Sequence, residues 1–150
     1  MEGGKKVAVV DASVVVKWFV PERNFRVAVA IRDAHLEGKL KLVSPSLVAY
    51  EVANALRFHR VYRLTPGEIA AAVQSLNEMG LMDTLSVEEW VKAAELSAAM
   101  NISVYDAVYA AMAFWRGAAL ITSDLKLYNS LKNAVNVTLL DRAGEALKLA

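Results

Sequence analysis

The sequence contains no cysteine among its 150 residues. A disulfide framework and a thiolate metal site are therefore excluded, and the absence fits an intracellular protein. An apolar run of about 20 residues, which a membrane-spanning helix needs, is also absent. The longest candidate, residues 97–117, is interrupted by Asn101, Ser103 and Asp106. Residues 1–6 are polar and lack the apolar region of a signal peptide. We therefore expect a cytoplasmic protein without a membrane segment.

An excess of charge of one sign is missing as well. The 17 basic and 16 acidic residues give a formal net charge of +1, so no global cationic field attracts nucleic acid. A polyanion would have to be bound by a local basic patch or through metal ions. The chain also lacks a phosphate-binding glycine loop and a Gly-x-Ser-x-Gly segment, which argues against P-loop and serine-hydrolase chemistry.

Apolar residues, by contrast, make up 56% of the chain, which excludes disorder and predicts one domain, residues 1–150, with a sizeable core. The predicted strands are residues 7–10, 39–43, 82–85, 118–122 and 135–140. The predicted helices are residues 13–19, 24–37, 47–62, 65–78, 86–101, 104–116, 124–131 and 142–149. Asn24 is expected to cap the second helix, and two capping boxes, Thr65 with Glu68 and Ser86 with Glu89, are expected to begin the fourth and fifth helices. Residues 44–46 are expected to form a turn. This alternation predicts an α/β fold, with helices on both faces of a parallel sheet.

Four acidic residues lie in apolar surroundings, where a carboxylate is costly unless it is paired or bound to metal. They are Asp11, Glu51, Asp106 and Asp124. Asp11 and Asp124 each follow a predicted strand, at the edge of a parallel sheet where ligands bind. Because the four lie on separate elements, we expect them to share one pocket.

Each acid also has a structural explanation. Asp11 and Asp124 could cap the helices that follow them, and Asp106, in the first turn of a helix, could complement the helix dipole. Together these explanations are weaker than one shared pocket, because each acid would need a separate reason.

Glu51 is harder to explain structurally. It lies with Asn54 at the edge of a buried helical face, and a salt bridge to Lys17 or Arg57 is the alternative to a functional role. We prefer function, because a partly buried carboxylate adds little stability by itself.

Clustered carboxylates repel one another unless a cation intervenes. Oxygen ligands without cysteine favour Mg²⁺ or Mn²⁺ over zinc, and such an ion supports phosphodiester hydrolysis. Four polar residues could orient the carboxylates or metal-bound water: Ser13, Asn54, Thr122 and Ser123. Lys17 is a candidate phosphate contact. Arg57, Arg60, Arg63 and His59 could also hold phosphates, although a solvated helix face is the preferred interpretation for the arginines.

These residues, in this order, resemble the PIN-domain nucleases, and most closely the VapC-type toxins of prokaryotic toxin–antitoxin pairs. The segments that carry the resemblance are Val9–Val14, Lys17–Glu22, Tyr50–Leu56, Ser103–Ala107 and Thr122–Asp124. The resemblance covers nearly the whole chain, and it implies a three-layer α/β/α fold with a central parallel sheet.

The resemblance also implies a Mg²⁺- or Mn²⁺-dependent endoribonuclease. Asp11 and Asp106 would be direct metal ligands, and Glu51 and Asp124 would complete the pocket or act through water. The hydroxyl of Thr122 or Ser123 would support the site. An RNA substrate, a small cognate antitoxin and a homodimer are implied in the same way.

Two alternatives stay open at the level of sequence. One is a housekeeping RNA-processing or DNA-cleaving nuclease of the same fold, which a neighbouring antitoxin reading frame would distinguish from a toxin. The other is a non-catalytic binding or scaffold module that retains the acidic pocket, and it predicts neither cleavage nor metal binding.

Overall fold

A computed structural model describes residues 4–149, so residues 1–3 of the predicted polar lead-in lie outside the described residues. The five strands are β1 (Val7–Val10), β2 (Lys41–Pro45), β3 (Met82–Asp83), β4 (Ala119–Thr122) and β5 (Val137–Leu139). All neighbouring strands pair in parallel, in the order β3-β2-β1-β4-β5. The predicted parallel sheet is confirmed.

The helices form the two outer layers. They are α1 (Ala12–Val15), α2 (Phe25–Leu36), α3 (Leu47–Arg57), α4 (Pro66–Met79), α5 (Val87–Met100), α6 (Val104–Trp115), α7 (Leu125–Leu131) and α8 (Leu140–Ala146). Helix α6 packs on β1, β2 and β4 and is covered by α5, whereas α2 packs on β2 and α8, and α8 packs on β4 and β5. This is the predicted three-layer α/β/α arrangement.

The core is built around β1. Residues 8–10 are fully buried, and Val9 is paired with Val43 of β2 and Leu120 of β4. Continuous apolar strands of this kind are typical of parallel sheets that are covered on both faces. In residues 4–149, no helix is both long and apolar enough to cross a membrane.

The strand order places a switch point between β1 and β4. From β1 the chain proceeds outward to β2 and β3, and then returns to the other side of β1 for β4 and β5. After β1 and after β4 the chain therefore continues toward opposite edges of the sheet, which opens a crevice beyond the carboxyl ends of these two strands. Asp11 follows β1 directly, and Asp124 follows β4 after one residue.

Both predicted capping boxes are present. The side chain of Thr65 accepts a hydrogen bond from the backbone N–H of Glu68, and Glu68 accepts one from the N–H of Thr65. Ser86 and Glu89 make the same exchange at the start of α5. These contacts satisfy N–H groups that a helix leaves free, so the sequence pattern marked both helix starts correctly.

Several predicted boundaries were wrong. The predicted helix 47–62 ends at Arg57, because the His59 ring accepts hydrogen bonds from the N–H groups of Val61 and Tyr62. The predicted turn 44–46 is partly strand, since β2 extends to Pro45. Asn24 precedes α2 with a left-handed φ of 65° and without a side-chain capping bond.

The other differences are shifts of a few residues. The predicted helix 13–19 is α1 followed by a 3-10 turn, Val16–Trp18, and β3 and β5 are shorter than predicted. The last helix begins at Leu140 instead of residue 142. Boundaries depend on local hydrogen bonds, which apolar periodicity does not specify.

Candidate functional site

All four predicted acids line one pocket beyond the carboxyl ends of β1 and β4. The pocket has a volume of about 280 Å³ and is lined by Asp11, Ala12, Ser13, Glu51, Asn54, Ala55, Asp106, Tyr109 and Asp124. Its position is the crevice at the switch point of the sheet, where ligands of open α/β folds bind. Residues from α1, α3, α6 and two strand ends thus meet at one place.

Asp11 lies deepest among the four acids, with only 5% of its surface exposed. Its Oδ1 accepts hydrogen bonds from the hydroxyl of Ser13 at 2.5 Å and from the N–H of Ser13 at 3.1 Å. Its Oδ2 accepts a bond from the hydroxyl of Thr122 at 2.5 Å. Asp11 therefore caps α1, as its structural explanation proposed, and its carboxylate is also held from the β4 side.

The same two hydroxyls connect Asp11 to the segment that carries Asp124. The hydroxyl of Ser13 accepts a hydrogen bond from the N–H of Ser123 at 2.8 Å, and the hydroxyl of Thr122 accepts one from the N–H of Asp124 at 3.0 Å. Each hydroxyl thus donates to the carboxylate and accepts from the backbone. Rotation of the Asp11 carboxylate would break bonds on both sides, so its orientation is fixed.

Glu51 is held by a residue that the sequence interpretation did not assign to the site. The buried hydroxyl of Tyr109 donates a hydrogen bond to Oε1 of Glu51 at 2.5 Å. Tyr109 lies three residues after Asp106 on α6, so both share one helical face. That spacing was visible in the sequence and could have identified Tyr109. In residues 4–149, Glu51 forms no ion pair with Lys17 or Arg57, which were its structural alternatives.

Asp106 and Asp124 lie nearer to solvent. Asp106 is half-buried in the first turn of α6, and its N–H donates to the hydroxyl of Ser103 at 3.0 Å. Asp124 is exposed and caps α7, with its Oδ1 accepting a bond from the N–H of Leu127 at 3.0 Å. Both acids thus fulfil their structural explanations while they line the pocket.

The pocket carries uncompensated negative charge. Burial raises the pKa of Asp11 to about 6, and the hydroxyls of Ser13 and Thr122 only partly offset this effect. Burial also raises the pKa of Glu51 and of Asp106, and the charge of Asp124 raises the pKa of Asp106 further. Within the described residues, no basic side chain lies within 4.0 Å of these four acids.

Burial and the neighbouring carboxylates raise the pKa of Tyr109. Its phenol therefore stays protonated and remains a hydrogen-bond donor to Glu51 at neutral pH. The direction of this bond is fixed, because an ionised carboxylate can only accept. Glu51 Oε2 is then the oxygen that remains free for other contacts.

The donor set fits a hard divalent cation. The pocket offers only oxygen ligands, and its acids lack a protein cation to balance their charge. Within residues 4–149, no three acidic or histidine side chains lie close enough together to enclose an ion by themselves. Mg²⁺ does not require such a group, because it is usually held by one or two carboxylates and keeps several water ligands.

The remaining candidate residues from the sequence lie in the pocket, beside it or outside it. Ser13 and Asn54 line the pocket, and Thr122 reaches it through Asp11. Ser123 contributes its backbone N–H to Ser13. Lys17 is not brought into the pocket: it is buried, and its Nζ lies 3.3 Å from Oε1 of Glu22.

Both histidines have other partners. His59 donates from Nε2 to Glu22 at 2.6 Å, because its Nδ1 accepts the two N–H bonds that end α3. His35 joins α2 to β2 and α4: its Nδ1 accepts from the N–H of Leu42 at 3.0 Å, and its Nε2 lies 2.8 Å from the carbonyl of Met79. Neither histidine lines the pocket.

A pH dependence of the metal-free protein follows from Asp11. The pKa of Asp11 is raised in the folded state from 3.8 to about 6, so its contribution to stability is fully present below pH 3.8 and is lost as the pH rises through about 6. This amounts to about 3 kcal/mol. Asparagine does not titrate, so Asp11→Asn should not undergo this loss. The unfolding free energy of Asp11→Asn minus that of the unsubstituted protein should therefore be about 3 kcal/mol larger at about pH 7 than at about pH 4. Urea denaturation in chelator measures the difference.

Asp141→Asn is the matched control, because Asp141 is exposed in the first turn of α8. Its difference from the unsubstituted protein should be the same at both pH values. If Asp11→Asn instead clearly destabilises the metal-free protein at neutral pH, Asp11 is not strained by burial and the prediction is wrong.

Comparison with known proteins gives a consistent result. The PIN domain family profile matches residues 8–130. PAE2754 from Pyrobaculum aerophilum is 22% identical, with a TM-score of 0.66 over 98% of this chain and 100% of that chain. VapBC2 from Rickettsia felis, solved with a DNA fragment from its promoter, is 12% identical, with a TM-score of 0.62 over 89% of this chain and 98% of that chain.

FitAcB from Neisseria gonorrhoeae is 15% identical, with a TM-score of 0.60 over 87% of this chain and 95% of that chain. Among curated protein sequences, none matches the chain significantly. At these identities the structural likeness concerns the fold.

Proposed function

Since the chain belongs to the PIN domain family, whose members are nucleases that use divalent metal ions, we propose that it is a Mg²⁺- or Mn²⁺-dependent endoribonuclease. The observation that carries the proposal is the pocket of four acids at the β1–β4 switch point, where no basic side chain of residues 4–149 lies within 4.0 Å of any of these acids. A structural cluster of acids would be expected to contain a balancing arginine or lysine. Here the balance is left to a bound cation.

We assign the direct metal contacts to Asp11 and Asp106. A divalent ion bound there would supply Lewis-acid stabilisation of the phosphate and a water of lowered pKa. The protein's own contribution is orientation: Ser13 and Thr122 fix the Asp11 carboxylate, and α6 presents Asp106 from its first turn. Asp124 adds negative charge at the exposed side of the pocket.

Glu51 would act on water instead of on the ion. Its Oε1 accepts the hydrogen bond from the Tyr109 hydroxyl, and Glu51 lines the pocket, so its Oε2 can accept a hydrogen bond from a water molecule. A carboxylate restrained in this way can orient an attacking water with little loss of entropy on reaction. Asn54, on the same helical face, can contact the substrate or a water through its amide.

The partners are proposed on the same basis. A further similar fold is that of VapBC-5 from Mycobacterium tuberculosis, a member of the VapBC family of toxin–antitoxin systems, and this supports a small cognate antitoxin that binds the active-site groove. We also propose that the protein forms a homodimer and is located in the cytoplasm. A reading frame next to the gene that encodes a small antitoxin would distinguish a toxin from a housekeeping nuclease.

Cleavage of single-stranded RNA tests the proposed function. We expect cleavage with Mg²⁺ or Mn²⁺ and none in chelator, and single-stranded DNA of the same sequence serves as the comparison substrate. Titration calorimetry with Mn²⁺ measures metal binding independently of activity. Absence of both cleavage and metal binding would favour a non-catalytic binding or scaffold module, and cleavage of DNA alone would overturn the assignment to RNA.

Removing the Tyr109 hydroxyl should lower activity without unfolding the protein. We expect Tyr109→Phe to reduce kcat by about 10- to 100-fold, the usual loss when a group that orients a site residue is removed. KM should change little, because the hydroxyl contacts Glu51 and not the substrate. Steady-state kinetics and the melting temperature provide the two measurements.

Tyr105→Phe is the matched control, since the Tyr105 ring is exposed and precedes Asp106 on α6. A Tyr109→Phe variant with the full kcat would show that Glu51 does not need the hydrogen bond.

A further inference from the structure

The connection between α3 and α4 concentrates positive charge in a chain that is otherwise nearly neutral. Residues 57–63, called here the basic loop, contain Arg57, Arg60 and Arg63, all exposed. Within the described residues, none of the three lies within 4.0 Å of a carboxylate. Their charges are therefore available to a partner, and they form the local basic patch that the overall composition does not reveal.

The basic loop has a defined shape, because His59 anchors it. The side chain of His59 is largely buried, and its Nδ1 accepts hydrogen bonds from the N–H groups of Val61 at 3.2 Å and Tyr62 at 3.1 Å. Its Nε2 donates to Glu22, which also pairs with the buried Lys17. The histidine thus points inward while the arginines point outward, so the charges are presented by an ordered scaffold.

An exposed aromatic ring lies among these charges. Phe58 is 66% exposed, and the guanidinium of Arg57 lies over its ring at 4.7 Å from the centroid. Bases of single-stranded nucleic acid stack on aromatic rings and on guanidinium planes. Phe58 and Arg57 supply both kinds of surface, and Arg60 and Arg63 follow in the same loop. Phe58 and Arg57 are called here the platform.

The platform is aligned with the acidic pocket. Glu51 and Asn54 line the pocket from α3, and Phe58 is the residue directly after the end of that helix. Glu51 and Phe58 are seven residues apart, which corresponds to about 10 Å at the rise of an α-helix. A base on Phe58 would therefore belong to a nucleotide close to the phosphate in the pocket.

We propose that the basic loop binds single-stranded RNA beside the acids, with the arginines contacting phosphates and Phe58 stacking on a base. The inference rests on the proposed function for the identity of the nucleic acid. It specifies single strands, because the bases of a duplex are stacked on one another and their faces are not accessible. Double-stranded RNA could use the arginines but not the ring.

Fluorescence anisotropy with a short labelled RNA tests the proposal on the full chain, in chelator and in Ca²⁺. Replacing Arg57, Arg60 and Arg63 with alanine should weaken binding of the RNA. The plot of the logarithm of the binding constant against the logarithm of the salt concentration should become less steep by about 2, because each lost phosphate contact removes about 0.7 from its slope. The matched control replaces Lys39, Lys41 and Lys132, which are exposed and lie outside the acidic pocket. It should leave the salt dependence of the RNA affinity nearly unchanged.

Phe58→Ala should weaken binding of single-stranded RNA by about 5- to 100-fold, the range found for the loss of one stacked base. Binding of duplex RNA should not change, and Phe58→Trp should retain the affinity. Trp90→Ala is the control, because Trp90 is 52% exposed on α5 and lies outside the loop.

The outcomes separate this proposal from the proposed function. If the protein cleaves RNA but the loop variants bind it normally, the loop proposal is wrong and the nuclease assignment stands. If it binds single-stranded RNA through the loop but cleaves no nucleic acid, the nuclease assignment is wrong and the loop proposal stands. No RNA binding by the unsubstituted protein, or variants that lose only an antitoxin, would overturn the loop proposal.

Discussion

Asp106→Asn is expected to lower the rate of RNA cleavage about a thousandfold, which corresponds to about 4 kcal/mol of transition-state stabilisation. Asp106 is the proposed metal ligand that is presented from the first turn of α6. Asparagine has nearly the same shape but no charge, so the variant keeps the packing of α6 and loses the attraction for a divalent cation. The backbone bond from the Asp106 N–H to Ser103 does not involve the substituted group.

The fold should survive this substitution. An acid in the first turn of a helix contributes about 0.3–1 kcal/mol through the helix dipole, and the loss is offset because the repulsion between Asp106 and Asp124 disappears. Circular dichroism and the melting temperature should therefore change little. Titration with Mn²⁺ should show weaker binding, which gives a measurement that does not depend on catalysis.

Asp141→Asn provides the matched control, since Asp141 is also an acid in a first helical turn and does not line the acidic pocket. It should cleave RNA at the normal rate. Cleavage by Asp106→Asn at the normal rate would indicate a contaminating nuclease or a different active site, and either result would remove Asp106 from the mechanism.

Arg116→Met is expected to destabilise the protein by about 3 kcal/mol, because it removes the basic partner of Glu89, a buried acid outside the acidic pocket. Glu89 is only 2% exposed and accepts hydrogen bonds from the Arg116 guanidinium at 2.8 and 3.2 Å. Arg116 also contacts Asp83 at 2.7 Å and the carbonyl of Thr84 at 3.1 Å. Removing one partner of a buried pair leaves an uncompensated charge, which typically costs about 3–5 kcal/mol.

The protonation behaviour of Glu89 supports this expectation. Burial by itself raises the pKa of Glu89, but the hydrogen bonds from Arg116 and Ser86 outweigh burial and hold the pKa below its usual value. Without Arg116, burial should dominate and the carboxylate should take up a proton more readily. For a chain of this length, 3 kcal/mol corresponds to a decrease of roughly 10 °C in the melting temperature.

Arg32→Met is the matched control, because Arg32 pairs with Asp33 at the surface at 3.0 Å, where ion pairs contribute about 0–1 kcal/mol. Adding Glu89→Gln to Arg116→Met should recover part of the lost stability, since no buried charge then remains. Equal melting temperatures for Arg116→Met and Arg32→Met would contradict a stabilising role for the buried pair. Neither arginine lines the acidic pocket, so cleavage at low temperature should be retained.

Glu89 also shows why an acid in apolar surroundings is an incomplete signal. It is more deeply buried than any of the four pocket acids, and the sequence interpretation assigned it only to a capping box. Its charge is balanced by Arg116, which lies 27 residues further along the chain. Glu89 therefore differs from the four pocket acids in having a basic partner, and the sequence does not show which residue that partner is.

Much of the fold could be predicted from local features. Each apolar strand segment was located, both capping boxes form as predicted, and Gly117 ends the helix before β4 with a φ of 61°. These features depend on residues within a few positions of one another, so the sequence displays them directly. The end of α3 was missed because His59 rearranges the backbone there in a way that periodicity does not indicate.

The sequence by itself determined which acids the pocket contains, since Asp11 and Asp124 follow strands and Glu51 and Asp106 interrupt apolar helices. Only the tertiary structure decided how they are held. Thr122 reaches Asp11 because β4 pairs with β1 across more than a hundred residues, and Tyr109 reaches Glu51 because the chain brings α3 and α6 together at the pocket. Hydrogen bonds of this sort depend on strand order and helix packing, which arise from the summed burial of the whole chain and are not contained in any short segment.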